Sequence, residues 1–292
     1  MKLPWKRLVR FVGVDGSSYY GEPDITNVEN LVDLYRAGKL NAYPLDGDIF
    51  DGSATLSTHS IKVEKLLGPL EASQVPAVKG IGLNYVSHIK EAGRTTPTYP
   101  MFFIKGSKSV NDWGAPIPIP KVAQQEQCDY EGEMCFVIGR EGKDIPKAEA
   151  LNYVAGYMTG NDMSARTWQR NPKFAGPVPQ FNFSKGFDKY APLGPLLVST
   201  ELLGDASNLD LETRVNGELR QSSNTSDLLF DVPTLVEFLS QGTTLEKGTV
   251  VMTGTPRGVG MGMNPPVWLK HGDTVEVTVG GLGTLANSIV FE

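Results

Sequence analysis

Cysteine and histidine are scarce, at two and three residues in a chain of 292. Cys128 and Cys135 cannot build a disulfide framework. Cys135 falls in an apolar strand pattern, where a small buried hydrophobe is a better reading than a reactive thiol. Long hydrophobic runs are missing too, and none approaches the roughly 20 residues of a membrane span. The N-terminal segment MKLPWKRLVRFVGVDG is basic but lacks the apolar stretch of a signal peptide. The expectation is a cytoplasmic protein in a reducing compartment, with no membrane partner. Clusters of Lys and Arg are absent and the net charge is −6, so nothing offers the basic face that nucleic acid requires. An anionic substrate would need a local positive site, from a metal or a few placed cations.

What is present is a chain able to fold. Hydrophobic residues make up 40% and charged residues 21%, enough for a real core. The 32 Gly and 20 Pro are scattered, which suits a turn-rich β protein. Residues 8–20 read as two strands around Val14-Asp15-Gly16. Thr26 is expected to cap a helix over 28–37 that Gly38 stops. Residues 61–65 alternate, and Gly68-Pro69 then breaks the chain. A boundary near residue 72 divides a small N-terminal α/β domain (1–72) from a larger domain (73–292). Beyond it strands dominate, at 77–82, 101–105, 131–138, 151–159, 249–253 and 274–279, with a last strand after 280–283. A hairpin of 209–216 and 218–221 turns at Asn216-Gly217. Residues 84–92 could form two helical turns. Residues 113–121 hold too many prolines for a central strand, and 171–179 reads as a mobile Pro/Gly loop. Asp231 caps a helix over 232–241 with Pro233 in its first turn. The lack of regular β–α alternation argues for a mixed β (α+β) architecture, not a doubly wound sheet.

One cluster carries chemistry. In Asp129-Tyr130-Glu131-Gly132-Glu133-Met134, two glutamates sit two apart. On a strand they share a face, about 6.5–7 Å apart at Cα. Held near a core they repel, so either one is protonated or a cation lies between them. A hard dication, Mg2+, Mn2+ or Ca2+, resolves the conflict with oxygen ligands. Asp162 ends an apolar strand through Gly160-Asn161, where a side chain can face a cleft. A second reading stays open on spacing alone: a solvated strand face and an ordinary helix cap.

Four segments together resemble the fumarylacetoacetate hydrolase family. They are Gly82-Leu83-Asn84-Tyr85-x-x-His88-x-x-Glu91, Asp129-Tyr130-Glu131-Gly132-Glu133, Gly160-Asn161-Asp162-x-Ser164-Ala165-Arg166-x-x-Gln169, and Thr253-Gly254-Thr255-Pro256-x-Gly258-Val259-Gly260. Lys185, in Phe183-Ser184-Lys185-Gly186-Phe187-Asp188, fits the same pattern, and the match spans residues 80–290. The resemblance implies a β-sandwich roll like that family's C-terminal domain, and a homodimer. It implies Mg2+ or Mn2+ on Glu131, Glu133 and Asp162, with Ca2+ as a substitute in crystals. It implies a small oxo-acid substrate that chelates the metal, and a lid over 84–96 with Gly82 and Gly93 as hinges.

Roles follow residue by residue. His88 and Glu91 are i, i+3 on a helical turn, so the carboxylate can orient an imidazole that takes a proton near neutral pH. His59 and His271 read as structural or surface residues. Lys185 can supply positive charge to a carboxylate or a developing oxyanion. Arg166 could grip a substrate carboxylate bidentately, with Gln169 donating beside it. Thr255 and backbone N–H groups of its bent loop could touch a substrate carboxylate. That loop lacks the spacing of a phosphate-binding motif. Tyr85 joins the substrate contacts by resemblance. Lys105 either reaches the same cleft or does not. Asp129 either backs the site or lies on the surface.

The expected activity is metal-dependent cleavage of a C–C bond in a 2,4-dioxo- or 3-oxo-acid. Acylpyruvate hydrolysis (a hydrolase) and oxaloacetate-type decarboxylation (a lyase) both fit. Isomerisation or hydration–dehydration on the same scaffold is the rival within enzymes, and a non-catalytic oxo-acid binder the rival outside them.

Overall fold

The computed structural model describes residues 2–91 and 93–292. Met1 lies outside the described residues, and so does Ala92, the last position of the helix expected over 84–92. Two sheets pack face to face, an eleven-stranded one and a five-stranded one. The expectation of a mixed α and β fold rich in strands is met.

The large sheet begins with N-terminal strands. Ser18–Pro23, Asn41–Asp46, Ile61–Leu66 and Arg7–Gly13 lie side by side. Arg7 and Leu8 then pair with Val198 and Leu197, which joins them to the rest of the sheet. Leu197–Ser199, Val154–Asn161, Gly132–Ile138, Val250–Met252, Val78–Gly82 and the edge strand Met101–Lys105 follow in that order. The small sheet runs Glu218–Asn224, Asp210–Val215, Thr274–Val279, Gly283–Phe291 and Ile117–Ile119.

The central strand Gly132–Ile138 shows why the sandwich forms. All seven residues are buried. Met134, Phe136 and Ile138 join the core cluster that holds Val277 and Leu285 of the small sheet. Cys135 and Val137 face the other way, among Trp5, Leu8, Val78 and Met252. A strand covered on both faces loses the polar half of its alternation. At its start Gly132 faces the small sheet. A Cβ there would sit 2.1 Å from the Thr213 hydroxyl and 3.0 Å from Val277. Glycine at that point lets the sheets close up beside the two glutamates.

Some local expectations need correction. Asn27, not Thr26, caps the first helical segment, its side chain accepting from the Glu29 N–H. That segment opens with a 3-10 turn, Val28–Asn30, before the α-helix Leu31–Arg36. Residues 171–179 are not all loop: Asn171 caps a short helix, Pro172–Ala175. Strand Asn41–Asp46 was not anticipated, because Pro44 and the surrounding polar residues mask its period. Asn216 and Gly217 both adopt positive φ, at 51° and 80°, the turn expected for that dipeptide. Among the described residues, no helix is long and apolar enough to cross a membrane.

Candidate active site

The site forms where two antiparallel strands end together. Glu133 lies opposite Gly160, Gly132 opposite Asn161, and the Asp162 N–H donates to the Glu131 carbonyl at 2.8 Å. That register sets Asp162 across from Glu131. One oxygen each from Glu131, Glu133 and Asp162 lies within 4.8 Å of the others. The solvated-face alternative is gone, since Glu133 and Asp162 are each about 1% exposed.

Buried cations ring this triad. Lys185 Nζ donates to Asp162 at 2.6 Å, Glu131 at 2.9 Å and the Ser164 hydroxyl at 2.6 Å. Lys105 is fully buried and donates to Asp162 at 2.5 Å and the Tyr190 carbonyl at 2.6 Å. Arg166 engages Asp129 through Nε at 2.8 Å, Gln169 through Nη1 at 3.1 Å and Glu131 through Nη2 at 2.6 Å. The guanidinium expected to grip a substrate carboxylate is thus engaged within the protein, with Nη2 in charge contact with Glu131 but making no hydrogen bond among the described residues. In this geometry Arg166 aims Glu131.

Asp129 is buried, not a surface residue. It accepts from Arg166 and from the backbone N–H groups of Gly260 and Met261. Three N–H groups of the glycine-rich loop 254–262, those of Gly254, Gly260 and Met261, thus go to the protein's own carboxylates. Gly254 N–H donates to Glu133 at 2.6 Å, and Thr255 donates to the Gly132 carbonyl at 2.9 Å. Gly254 sits at φ +100°, and a Cβ at Gly260 would lie 2.7 Å from the Asp129 oxygen. The loop is glycine-rich because the backbone must approach these acids closely.

The charges do not balance. Asp129, Glu131, Glu133 and Asp162 outnumber Lys105, Lys185 and Arg166 by one. Burial raises the Glu131 pKa, but the Lys185 and Arg166 charges more than reverse this and hold the carboxyl well below its usual range. Glu133 goes the other way, pushed well up by burial and by the Asp162 and Glu131 carboxylates. Burial draws Lys105 down against the pull of Asp162. Lys185 is also desolvated, yet Asp162 and Glu131 hold it up. Tyr85 is fully buried and its hydroxyl has no partner among the described residues. Burial and the Glu133 charge raise that phenol too. A surplus buried carboxylate, an orphan hydroxyl and an all-oxygen donor set fit a hard dication.

A cavity of about 510 Å³ reaches the triad at Glu131, while Glu133 and Asp162 lie behind its lining. Glu131, Arg166, Gln169, Lys185, Thr255 and His88 line it, and Tyr85 and Lys105 are not in its lining. Gln169 Oε1 accepts from Arg166 and Arg170, leaving its amide nitrogen without a protein partner among the described residues. Phe103 stacks on Phe181 at 5.6 Å and sits 5.1 Å from Lys185 Nζ, forming an apolar wall. His88 lies on the helix Val86–Glu91, its Nδ1 3.3 Å from Glu91 Oε2.

The root of this helix is pinned by residues that sequence reasoning left without a role. Asn84 donates to the Phe230 and Thr253 carbonyls and accepts from the Phe230 N–H. Asp227 accepts from the Ser87 N–H and hydroxyl. Leu83, at φ +54°, makes the turn from strand to helix. Gly82 ends a strand against Met101, whereas Gly93 has positive φ and open space around it. His59 is exposed, and His271 accepts from the Phe291 N–H. Arg94 and Arg170 also line the cavity and escaped notice, because neither stands in a recognisable motif.

Comparison with known proteins gives the family. The family described as fumarylacetoacetate (FAA) hydrolase C-terminal matches residues 77–290. The chain belongs to the fumarylacetoacetate hydrolase family. Caffeoylpyruvate hydrolase of Neonothopanus nambi is 39% identical over 98% of this chain and 93% of its own length. Oxaloacetate tautomerase YisK of Bacillus subtilis (strain 168) is 43% identical over 72% of this chain and 68% of its own. Among solved structures, 2-hydroxyhepta-2,4-diene-1,7-dioate isomerase from Mycobacterium marinum superposes with a TM-score of 0.80 at 32% identity, covering 98% of this chain and 99% of that one.

Proposed function

We propose that this chain is a divalent-metal-dependent enzyme that cleaves a C–C bond of a small 2,4-dioxo- or 3-oxo-acid, acylpyruvate hydrolysis first among these. The observation that carries it is the acidic triad, whose Glu131 lines a cavity that His88 also lines. A relative matched along nearly its whole length is named for hydrolysis of an acylpyruvate. Glu131, Glu133 and Asp162 would hold Mg2+ or Mn2+. When bound, that ion would polarise the oxo group of a chelating acid and offset charge that develops on it.

The protein's own groups do the rest. Glu91 accepts from His88 Nδ1, which leaves Nε2 as the basic atom. Nε2 takes a proton from water, and the water oxygen attacks the acyl carbonyl. The C–C bond breaks, its electron pair leaves with the pyruvate fragment, and His88 returns the proton to that carbon. Lys185 offsets the negative charge of the departing fragment, and the Gln169 amide donates to its carboxylate. Oxaloacetate-type decarboxylation uses the same electron sink with CO2 leaving.

Loss of enol absorbance from acylpyruvates and oxaloacetate, with Mg2+, Mn2+ or EDTA, tests this reading. H88A is expected to cut kcat by about 10²–10⁴-fold. Cleavage at near wild-type rate in H88A would remove His88 from the mechanism, and no turnover under any condition would favour a binder. A second reading, oxo-acid isomerisation, rests on the similarity to an oxaloacetate tautomerase. Interconversion of oxaloacetate tautomers by NMR, without release of pyruvate or CO2, would select it.

We also propose a homodimer. Met101, Phe102 and Ile104 are exposed on the edge strand, and Phe183 is exposed on the helix beside it. A reducing, cytoplasmic setting rests on Cys128 and Cys135 being free and buried, and cell fractionation checks it.

A further inference from the structure

Gln221 is a buried polar side chain that the chemistry above does not use. It stands on Glu218–Asn224 of the small sheet and is about 1% exposed. Its amide reaches across the sandwich to the glycine between the two glutamates. Oε1 accepts from the Gly132 N–H at 2.9 Å. Nε2 donates to the Thr255 hydroxyl at 2.8 Å and to the Pro256 carbonyl at 3.0 Å. The Thr255 hydroxyl gives its own proton to the Gly132 carbonyl at 2.9 Å, which closes a ring of hydrogen bonds running in one sense through Gly132, Gln221 and Thr255. A methionine would fill the same volume beside Val277 with no polar group to satisfy, so packing alone does not ask for an amide here.

The ring stands where a strand ladder breaks. Cys135 pairs with Met252, and the Thr253 N–H donates to the Met134 carbonyl, so the same antiparallel register would set the Thr255 backbone against Gly132. Gly254, at φ +100°, turns the chain away first. The N–H and the carbonyl of Gly132, which the ladder would have satisfied, go to side chains instead. The N–H belongs to the peptide that follows Glu131, and the carbonyl to the peptide that precedes Glu133. Gln221 and Thr255 therefore hold the two peptide planes that set the angle between the two carboxylates. We propose that Gln221 is a positioning residue for the metal centre: through Gly132 it fixes the spread of Glu131 and Glu133, and with it the affinity for the ion and the choice of ion. This rests on the reading of the triad as a metal site. Mg2+ demands near-octahedral oxygens at about 2.0–2.1 Å, whereas Ca2+ accepts about six to eight ligands in looser arrangements. A spread that drifts therefore costs Mg2+ more than Ca2+.

Calorimetric titration of Mn2+, Mg2+ and Ca2+ into the wild type, Q221M, T255V and T255S tests this, with melts in EDTA reporting the metal-free fold. Q221M and T255V are each expected to weaken Mg2+ and Mn2+ binding by about 10–100-fold, and Ca2+ binding by less. Combined, they are expected to lose less than the product of the single losses, because both open one ring. T255S keeps the hydroxyl and is expected to bind all three ions as the wild type does. A Q221M that melts lower in EDTA yet binds the ions with wild-type affinity would overturn the role and leave Gln221 a purely structural residue. Equal losses for Mg2+ and Ca2+, or losses that simply multiply in the double variant, would overturn it too. Should Q221M fail to fold, the threonine pair decides: a T255V that binds as T255S does would refute the ring. A wild type that binds none of the three ions would overturn the metal reading and this role with it, an outcome distinct from intact binding that ignores Gln221.

Discussion

Glu133 concentrates the physical conflict of the site in one side chain. It is buried, it faces two other carboxylates, and its one hydrogen bond among the described residues is from the Gly254 N–H. Without a counter-ion its charge is a cost to the fold. Glu133→Gln keeps the volume and removes the charge. The variant is expected to be at least as stable as the wild-type apo-protein, and to lose metal binding. For the wild type, Mn2+ at 100 times its dissociation constant should stabilise by about 2.7 kcal/mol. In E133Q the gain should stay below about 1 kcal/mol at the same concentration. Thermal melts with Mn2+ and with EDTA measure both. An E133Q that is stabilised as much as the wild type would remove Glu133 from the ligand set. The sequence announced the acids but not their partners. Two glutamates two apart are legible from the strand period alone. The cations that hold them come from elsewhere in the chain, Lys105 and Lys185 lying 57 and 23 residues from Asp162, and no local pattern encodes that pairing.

Elements explain which parts of the motifs are chemical and which are structural. The glycine between the two glutamates belongs to the sandwich, since a Cβ there meets Thr213, Val277 and Gln221 of the facing sheet. Gly132→Ala is therefore expected to cost about 1–3 kcal/mol through overpacking. A lowered melting temperature that Mn2+ only partly restores would show it, and an unchanged melt would mean that the two sheets yield to the added methyl without cost. The asparagine before Tyr85 is likewise a fastener. Asn84 closes three hydrogen bonds to residues 230 and 253, so Asn84→Ala strands buried backbone groups at the root of the His88 helix. About 1–3 kcal/mol of stability is expected to go. Faster amide exchange in 84–91 than elsewhere would locate the loss, and uniform exchange would refute a local fastener. Strands were readable where one face is apolar or both are, as in Gly132–Ile138 and Thr274–Val279. Boundaries were not, and caps only in part: Asp231 caps the helix Val232–Ser240 as expected. Thr26 and Asn27 are both good caps, and only the tertiary placement of the 3-10 turn Val28–Asn30 chooses between them.

At the scale of the whole molecule the question is what covers the open edge of the large sheet. Met101–Lys105 is the last strand of that sheet, and its inward residues Phe103 and Lys105 serve the cavity and the triad. Its outward residues Phe102 and Ile104 are each about 42% exposed. An edge strand with an apolar outer face invites pairing, and soluble proteins usually blunt such edges with charge. Here Asn182 caps the Ile104 N–H and Lys79 lies 5.1 Å over the Phe102 ring, which blunts the edge without covering its side chains. Phe183 is exposed one residue past Asn182, extending the apolar face onto the neighbouring helix. A second copy docking here would bury that face and brace the strand whose other side holds the site. Sedimentation equilibrium should then give the mass of two chains at micromolar concentration. I104D and F102D should shift the equilibrium toward one chain, each by about tenfold or more in dissociation constant, as expected for apolar anchors at the centre of an interface. The link to the site makes this more than an assembly measurement. Because Phe103 and Lys105 alternate with Ile104 along one strand, loosening its outer face should lower kcat at protein concentrations where the variant is monomeric, and raising the concentration should recover it. A wild-type chain that sediments as a monomer, or an I104D monomer with full activity, would detach the edge from both assembly and catalysis.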